Sequence, residues 1–572
     1  MSDHHHDGRE AHPDAPAGEP QDRARDLGIP DAELRPAELS RREFLRGLGL
    51  VGVAIGAGSL GGSLVSPRVA RAAGPAAPSL RPATDLDEPG RLLWLSGDHH
   101  IHTQYSSDGR YRVSDHVAHA RRDGLDWMVI TDHGRIAHEK VGVDRTFTDV
   151  LAARASNPGM LVYQGLEWNI PGAEHGTVFL APGHQERELL HTFEANFDGV
   201  VLFAGNATKN DPVQEAKAVE GIEWLAAQVA AHRSDAALFL ANHPARRGLD
   251  SPHEIRAWSD AARNVAVGME GAPGHQAGGI AKADLGPEAA RGYYDFSAGP
   301  QSHPAYPPEA YRTWGGFDWM TAKVGGLWDS LLAEGRPWWI TANSDSHAVY
   351  RDTMVPGAGA FSDVAPYVGA YADPVDTGVP QAGNGDFWPG LYSRTVVGAR
   401  RRSYASVMAA IAAGRMWVSH GGLIAGLDVL AVSDRSDSVA TLGGTVRARH
   451  GEAVELVVRI QPSWTANAMG VVPRLRRVDL IGGPQTGAAG DPDAMAAPGT
   501  AVLRSWDVDR SRGSIVLTYR IPRVQGSMYL RLRGTDGNAS APGSIEPRLD
   551  PVPVDPWSDL WFYSNPVFID VA

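Results

Sequence analysis

Imidazole and carboxylate side chains recur in this chain at the ends of short apolar runs, with spacings that suit the binding of several cations. The first cluster is Asp98-His99-His100-Ile101-His102, followed by Ser107-Asp108-Gly109. Thr131-Asp132-His133-Gly134, Glu167, Glu174-His175-Gly176, Asn242-His243-Pro244 and Ser344-Asp345-Ser346-His347 come after it. On an extended strand residues i and i+2 share a face, so His100 and His102 can present two imidazoles to one ion. His100, His102, Asp108, His133, Glu167, His175, His243, Asp345 and His347 are therefore the predicted metal ligands. These donors exceed what one tetrahedral or octahedral centre consumes, which predicts about two to three divalent ions. The chain has no cysteine. Thiolate sites and disulfides are excluded, and nitrogen and oxygen donors suit Zn, Mn or Fe without choosing among them. Asp132 is expected to orient an imidazole through a hydrogen bond, and Asp98 either to do the same or to close the first strand. His99 has the wrong strand parity for the cluster, and His116, His119, His253 and His303 sit in helical or loop context.

Apolar segments deliver most of these residues. Leu92-Leu93-Trp94-Leu95 leads to the first cluster and Trp127-Met128-Val129-Ile130 to Asp132-His133. Met160-Leu161-Val162-Tyr163 leads to Glu167, Ala237-Leu238-Phe239-Leu240 to His243, and Trp338-Trp339-Ile340 to Asp345 and His347. Val265-Ala266-Val267 runs to Glu270 in the same manner, whereas His175 opens its strand instead of closing it. Strands whose carboxyl ends carry the polar residues predict a parallel α/β barrel with its chemistry on one rim. Helices are expected from Ser114 to before Gly124, over 215–231, over 321–333 with a weakness at Gly325-Gly326, and over 404–413. Two irregular stretches, about 271–318 and 348–394, are long enough to serve as lids or binding walls.

At these residues the chain resembles the polymerase and histidinol phosphatase (PHP) family of phosphoesterases. The H-x-H and Ser-Asp-Gly elements are carried by His100, His102 and Asp108, and the T-D-H-G element by His133. Glu167 matches the family's metal-bridging glutamate. His175, His243-Pro244 and the closing S-D-x-H of Asp345 and His347 complete the pattern. The resemblance implies a distorted (β/α)7 barrel with up to three metal ions on its carboxyl rim, spanning roughly 92–347 and more weakly 416. It further implies hydrolysis of phosphate mono- or diesters of small molecules by a metal-activated hydroxide. Glu167 would bridge two ions, Asp345 would complete one with His100 and His102, and His243 or His347 would assist proton transfer. A similarity to carbaryl-hydrolase-like PHP proteins keeps a carboxylic ester, amide or carbamate hydrolase as the alternative, with a non-enzymatic metal- or glycan-binding protein behind it. Arg246 and Arg247, just after His243, and Arg394, after an aromatic segment, are the predicted substrate-binding guanidiniums, suited by fork geometry to phosphoryl oxygens.

The remaining sequence sets the context. Residues 1–72 read as a disordered leader and signal peptide: Ser40-Arg41-Arg42-Glu43-Phe44-Leu45 has the twin-arginine pattern, and Ala70-Arg71-Ala72 offers a cleavage site. Export through the twin-arginine translocase to the periplasm, cell wall or exterior is the expectation, without a stable membrane anchor. Residues 73–90 form a Pro/Ala linker, 91–422 the barrel with its insertions, and 423–572 a β-sandwich-like domain with two-residue alternation, as in Val454-Glu455-Leu456-Val457-Val458. Its last strand is expected in 565–569. A net charge of −14 argues against a nucleic-acid surface.

Overall fold

The computed structural model describes residues 29–34, 38, 42, 83–85, 90–203, 211–280, 290–358, 371–508, 513–537 and 547–572. The expected leader and signal segment fall almost wholly outside them, Arg42 being described, as does most of the expected linker. Among the described residues no helix is long and apolar enough to cross a membrane.

Seven strands line up in sequence order: β1 (Gly90–Asp98), β2 (Trp127–Ile130), β3 (Leu161–Asn169), β4 (His175–Leu180), β5 (Ala237–Ala241), β6 (Ala266–Ala272) and β7 (Trp339–Ala342). A parallel bridge from Ile101 to Ser346 joins the two ends of the series, just beyond β1 and β7. The strands are buried on both faces, which explains their unbroken apolar runs. Helices α1 (Val113–Arg122), α2 (Val143–Ser156), α3 (Glu186–Phe197), α4 (Pro212–Ala230), α5 (Pro252–Ala261), α6 (Leu327–Ala333) and α7 (Tyr404–Ala412) accompany them. One core cluster unites Trp127, Tyr163, Trp168, Phe239 and Trp258 with Phe193 and Leu225 of the helices.

The expectation of a wholly parallel barrel needs one correction. β4 runs antiparallel to both β3 and β5, whereas β1–β2, β2–β3, β5–β6 and β6–β7 pair in parallel. The turn Pro171–Ala173 between β3 and β4 is too short for a crossover, so the chain reverses as a hairpin. The amino end of β4 therefore lies on the same rim as the carboxyl ends of its neighbours.

Helix boundaries follow the local chemistry. α1 starts at Val113 rather than at a Ser114 cap, and the Asp115 carboxylate accepts the Arg112 N–H at 3.0 Å. Asp211 caps α4 by accepting the Val213 N–H, and a proline occupies the first helical turn. The expected 321–333 helix is two pieces, Trp319–Ala322 and α6, separated at Gly325, whose φ of 73° an L side chain resists.

Past α1–α7 and the barrel the chain is mostly β. β8 (Ser393–Ala399) extends the barrel sheet antiparallel to β1, and β9 (Met416–His420) follows antiparallel to β8. β10 (Ile424–Ser433), β12 (Val454–Pro462) and β15 (Ile515–Ile521) form a separate antiparallel sheet. β11 (Thr445–Ala448), β13 (Arg477–Pro484), β14 (Ala501–Asp507), β16 (Met528–Thr535), β17 (Trp561–Ser564) and β18 (Val567–Val571) form the opposing layer. Leu427, Val458 and Ile460 of one layer pack with Leu480, Leu530 and Ile569 of the other. The second layer is continuous with the barrel, because β17 pairs with β9. Asn565 reaches further: its side-chain oxygen accepts the Ile340 N–H at 2.9 Å and its amide donates to the Ile340 carbonyl at 3.0 Å. β7 is thereby given the two hydrogen bonds that another strand would supply. Buried Arg531 adds a bidentate pair to Asp329 of α6 at 2.7 Å.

Candidate metal centre

All nine predicted ligands converge on one rim, eight from the strands that sequence pattern assigns to them and Asp108 from the loop after β1. Glu167, near the end of β3, lies at the centre. Its Oε1 stands 3.1 Å from His100 Nε2, 3.0 Å from His175 Nδ1 and 3.3 Å from His243 Nε2. Its Oε2 stands 2.7 Å from His133 Nδ1 and 3.2 Å from His102 Nε2. Asp345 Oδ1 lies 3.2 Å from His100 Nε2 and 3.3 Å from both His102 Nε2 and His347 Nδ1. Asp108, half exposed, sets its two oxygens 3.4 Å from His133 Nε2 and His347 Nε2. Groups with donor atoms mutually within 4.8 Å include His102/Asp108/His133/His347, His100/His102/Asp345, His133/Glu167/His175 and Glu174/His175/His243.

These residues fit divalent cations on their own geometry. His100 Nε2 and His102 Nε2 are 2.9 Å apart, and His133 Nε2 and His347 Nε2 are 3.4 Å apart. One proton between two such nitrogens could not also satisfy the carboxylate oxygens that face them, whereas a cation accepts every lone pair at once. Glu167 Oε2 and Asp345 Oδ1 are buried and make no hydrogen bond. Three site residues also hold left-handed backbone, His243 at φ 30°, Asp345 at 45° and His275 at 52°. For non-glycine residues such geometry costs about 1–2 kcal/mol each, a strain that clusters at functional sites.

Electrostatics follow from burial and close packing. Burial alone would lower the His100 imidazole, but Asp345, Glu167 and Glu270 carry it well above its usual range. Desolvation would raise Glu167 and Asp345, and the surrounding histidines hold both well below the carboxylate range instead. Asp108 is likewise held low against desolvation, by His347 and His133. Burial dominates at His243, lowered to about 3 with Arg246 adding to it, and at His347, lowered to about 4 by burial and His102.

Asp98 and Asp132 lie beside the ligands, but neither holds an imidazole. Asp98 accepts the backbone N–H of His100 at 3.1 Å and of Ser344 at 3.0 Å, clipping the loop after β1 to the loop after β7. Burial raises its carboxyl to about 7. Asp132 accepts the backbone N–H and the hydroxyl of Thr103 and the hydroxyl of Thr146, so it braces the first loop. The imidazoles are oriented by other residues. Glu270, at the end of β6, meets His100 Nδ1 at 2.7 Å, and Ser106 Oγ meets His102 Nδ1 at 2.9 Å.

Two members of the site escaped the sequence pattern. His275 Nε2 lies 2.8 Å from Asp345 Oδ2, and its Nδ1 lies 2.6 Å from Asp386. Asp386 also accepts the N–H groups of His347 and Ala348 at 2.6 Å. Both come from the long irregular stretches, where no strand periodicity marks them. A usable signal was Pro273-Gly274 directly before His275: a Cβ at Gly274 would collide with Asp345 and with the Ser344 carbonyl. Of the three predicted substrate-binding arginines, Arg246 forms a short ion pair with buried Glu174, and half-exposed Arg247 lies 3.6 Å from the same carboxylate. Arg394 is not brought to this rim. Its neighbour Thr395 bonds inward to Ala342 of β7, so by strand alternation Arg394 faces outward, donating to the Gly390 and Asp123 carbonyls.

Comparison with known proteins finds a match over part of the chain. Residues 98–251 match the family model described as PHP domain. No curated protein matches the chain. Among solved structures, a two-domain protein from Bacteroides vulgatus, described as containing a predicted PHP-like metal-dependent phosphoesterase, is similar over 77% of this chain and 90% of its own, at 15% identity and a TM-score of 0.29. A protein from Bifidobacterium adolescentis, provisionally assigned as a metal-dependent phosphoesterase, is similar over 31% of this chain and 77% of its own, at 18% identity and a TM-score of 0.20. The family match overlies seven of the nine candidate ligands, so residues 98–251 are those of a PHP domain.

Proposed function

We propose that this protein is an exported phosphoesterase that hydrolyses phosphate mono- or diesters of small molecules. The setting of Glu167 carries the reading: five imidazoles stand within 3.3 Å of its two oxygens, an arrangement suited to paired cations sharing one carboxylate. Divalent ions held there would acidify water and draw charge from phosphoryl oxygens. The chain's own residues then divide the work. Glu167 and Asp345, both ionised, set the spacing of the positions they share. His243 and His347 stay neutral at physiological pH and offer lone pairs, so their part is to hold rather than to donate protons. Arg247, half exposed beside Glu174, is the guanidinium placed to meet a non-bridging oxygen, with Arg246 anchoring Glu174 behind it. Export is supported by the twin-arginine pattern at Ser40–Leu45 and the Ala70-Arg71-Ala72 segment.

The test is a substrate panel of p-nitrophenyl phosphate, bis-p-nitrophenyl phosphate and naphthyl acetate, run with wild type and Glu167→Gln after loading with Mn or Zn. Phosphate-ester turnover should exceed acetate turnover and fall about 100-fold or more in Glu167→Gln, with the fold retained by circular dichroism. Turnover of the acetate alone would transfer the site to carboxyl-ester or amide chemistry.

A further inference from the structure

A second cavity lies on the outer face of the sheet, away from the barrel interior. It encloses about 560 Å³ between the barrel and the C-terminal layers. The register shows how the sequence builds its floor. Ser96 of β1 pairs with Val396 of β8, which pairs with Trp417 of β9, and Arg394 pairs with Ser419 in the adjacent row. Paired residues share a face, so one outward surface presents Ser96, Val396, Trp417, Arg394 and Ser419 together. Ile424 and the 463–468 segment form the opposite wall, and Trp464, within that segment, is largely exposed.

Three polar groups lie at or just beneath this floor. Ser96 and Trp417 are each 2% exposed, and neither Ser96 Oγ nor Trp417 Nε1 has a partner. Arg394 bonds two backbone carbonyls but pairs with no carboxylate among the described residues. The two acids of the lining are taken: Asp123 by Arg122 at 3.0 Å, and Asp126 by Arg402 and by the Ser96 N–H. One guanidinium charge is therefore left over in a half-enclosed space, next to two unsatisfied buried polar atoms and apolar walls from Trp94, Leu391 and Ile424. The lining therefore carries three guanidiniums, Arg122, Arg394 and Arg402, against two carboxylates, and this excess charge beside apolar walls is complementary to an anion with an apolar body.

We infer that this cavity is a binding site, separate from the metal centre, for a small organic anion with an apolar body, its carboxylate, sulfonate or phosphate held by Arg394. The volume admits a ligand of two or three fused rings, and the apolar walls exclude inorganic phosphate as a sufficient occupant. Calorimetric titration of the full mature chain with 2-naphthalenesulfonate, beside the neutral 2-naphthalenemethanol, tests it. Wild type should bind the sulfonate at least tenfold more tightly than the alcohol, Arg394→Gln should lose at least tenfold in affinity, and Glu167→Gln should bind within twofold of wild type. Arg394→Lys, which keeps the charge but loses the guanidinium fork, should weaken binding severalfold and carries the test if Arg394→Gln does not fold. Equal binding of the alcohol would make the cavity a neutral apolar pocket and overturn the anion site. Loss of binding in Glu167→Gln with none in Arg394→Gln would assign the anion to the metals and overturn it as well.

Discussion

At the residue scale the site is a problem of charge crowding that the protein solves by mutual compensation. Glu167, Asp345 and Asp108 stay ionised because histidines surround them, and His275 is raised to about 10 against its own burial by Asp345 and Asp386. His275→Ala should therefore loosen Asp345 and lower the metal stoichiometry, read by elemental analysis, with activity down at least tenfold; full stoichiometry in the variant would remove His275 from the site. Away from the ligands, His420 shows the opposite balance. Burial, reinforced by Arg291, holds this imidazole well below its usual value of 6.5, and burial lowers His116 to about 3. In the unfolded chain both take up a proton near pH 6.5, while the folded chain keeps them neutral. Their stability contribution is thus complete above about pH 6.5 and is lost as pH falls below it, by about 1.4 kcal/mol per pH unit for each. Urea denaturation at pH 7 and pH 5 should show this loss, reduced in His420→Gln; an unchanged pH slope in that variant would show that His420 is protonated in the fold.

At the element scale the strands explain what was legible in the sequence and what was not. The candidate ligands could be read because all but Asp108 end or open an apolar run, and a strand buried on both faces leaves its polar residues only at the rim. His175 looked anomalous because it opens its strand, and the reversal of β4 accounts for that: an antiparallel strand brings its amino end to the rim where its neighbours bring their carboxyl ends. Periodicity alone does not encode strand direction. His275 and Asp386 were illegible because they stand in loops positioned by distant contacts. Asp98 and Asp132 were placed in the right neighbourhood, but their partners are backbone and hydroxyl donors whose availability depends on how the loops meet. Asp98→Ala should strip acceptors from the His100 and Ser344 N–H groups together, costing on the order of 2–4 kcal/mol and weakening metal retention. Denaturant unfolding of the metal-free variant checks the first and dialysis against chelator the second; wild-type values in both would make the clip dispensable.

At the scale of the whole molecule, the barrel and the C-terminal layers share hydrogen bonds rather than merely touching. β17 pairs with β9, Arg531 is fully buried against Asp329, and Asn565 closes the Ile340 backbone. The sequence showed the change to two-residue alternation near residue 423 but not this continuity, since pairing between distant strands leaves no local mark. Asn565→Ala would leave two buried backbone groups of Ile340 without partners, at an expected cost of about 2–4 kcal/mol. Thermal unfolding should register it as a lower midpoint, with hydrogen exchange increased at β7; unaltered protection there would mean that the asparagine only fills space.

The Asn565 contact also bears on timing. β7 leads directly into Asp345 and His347, and its hydrogen-bonding edge is completed by a side chain 225 residues further along the chain. During synthesis His100 through His243 emerge long before the group that steadies the strand leading to their co-ligands. A nascent chain stalled short of residue 565 should therefore present these histidines beside a β7 whose edge is not yet completed.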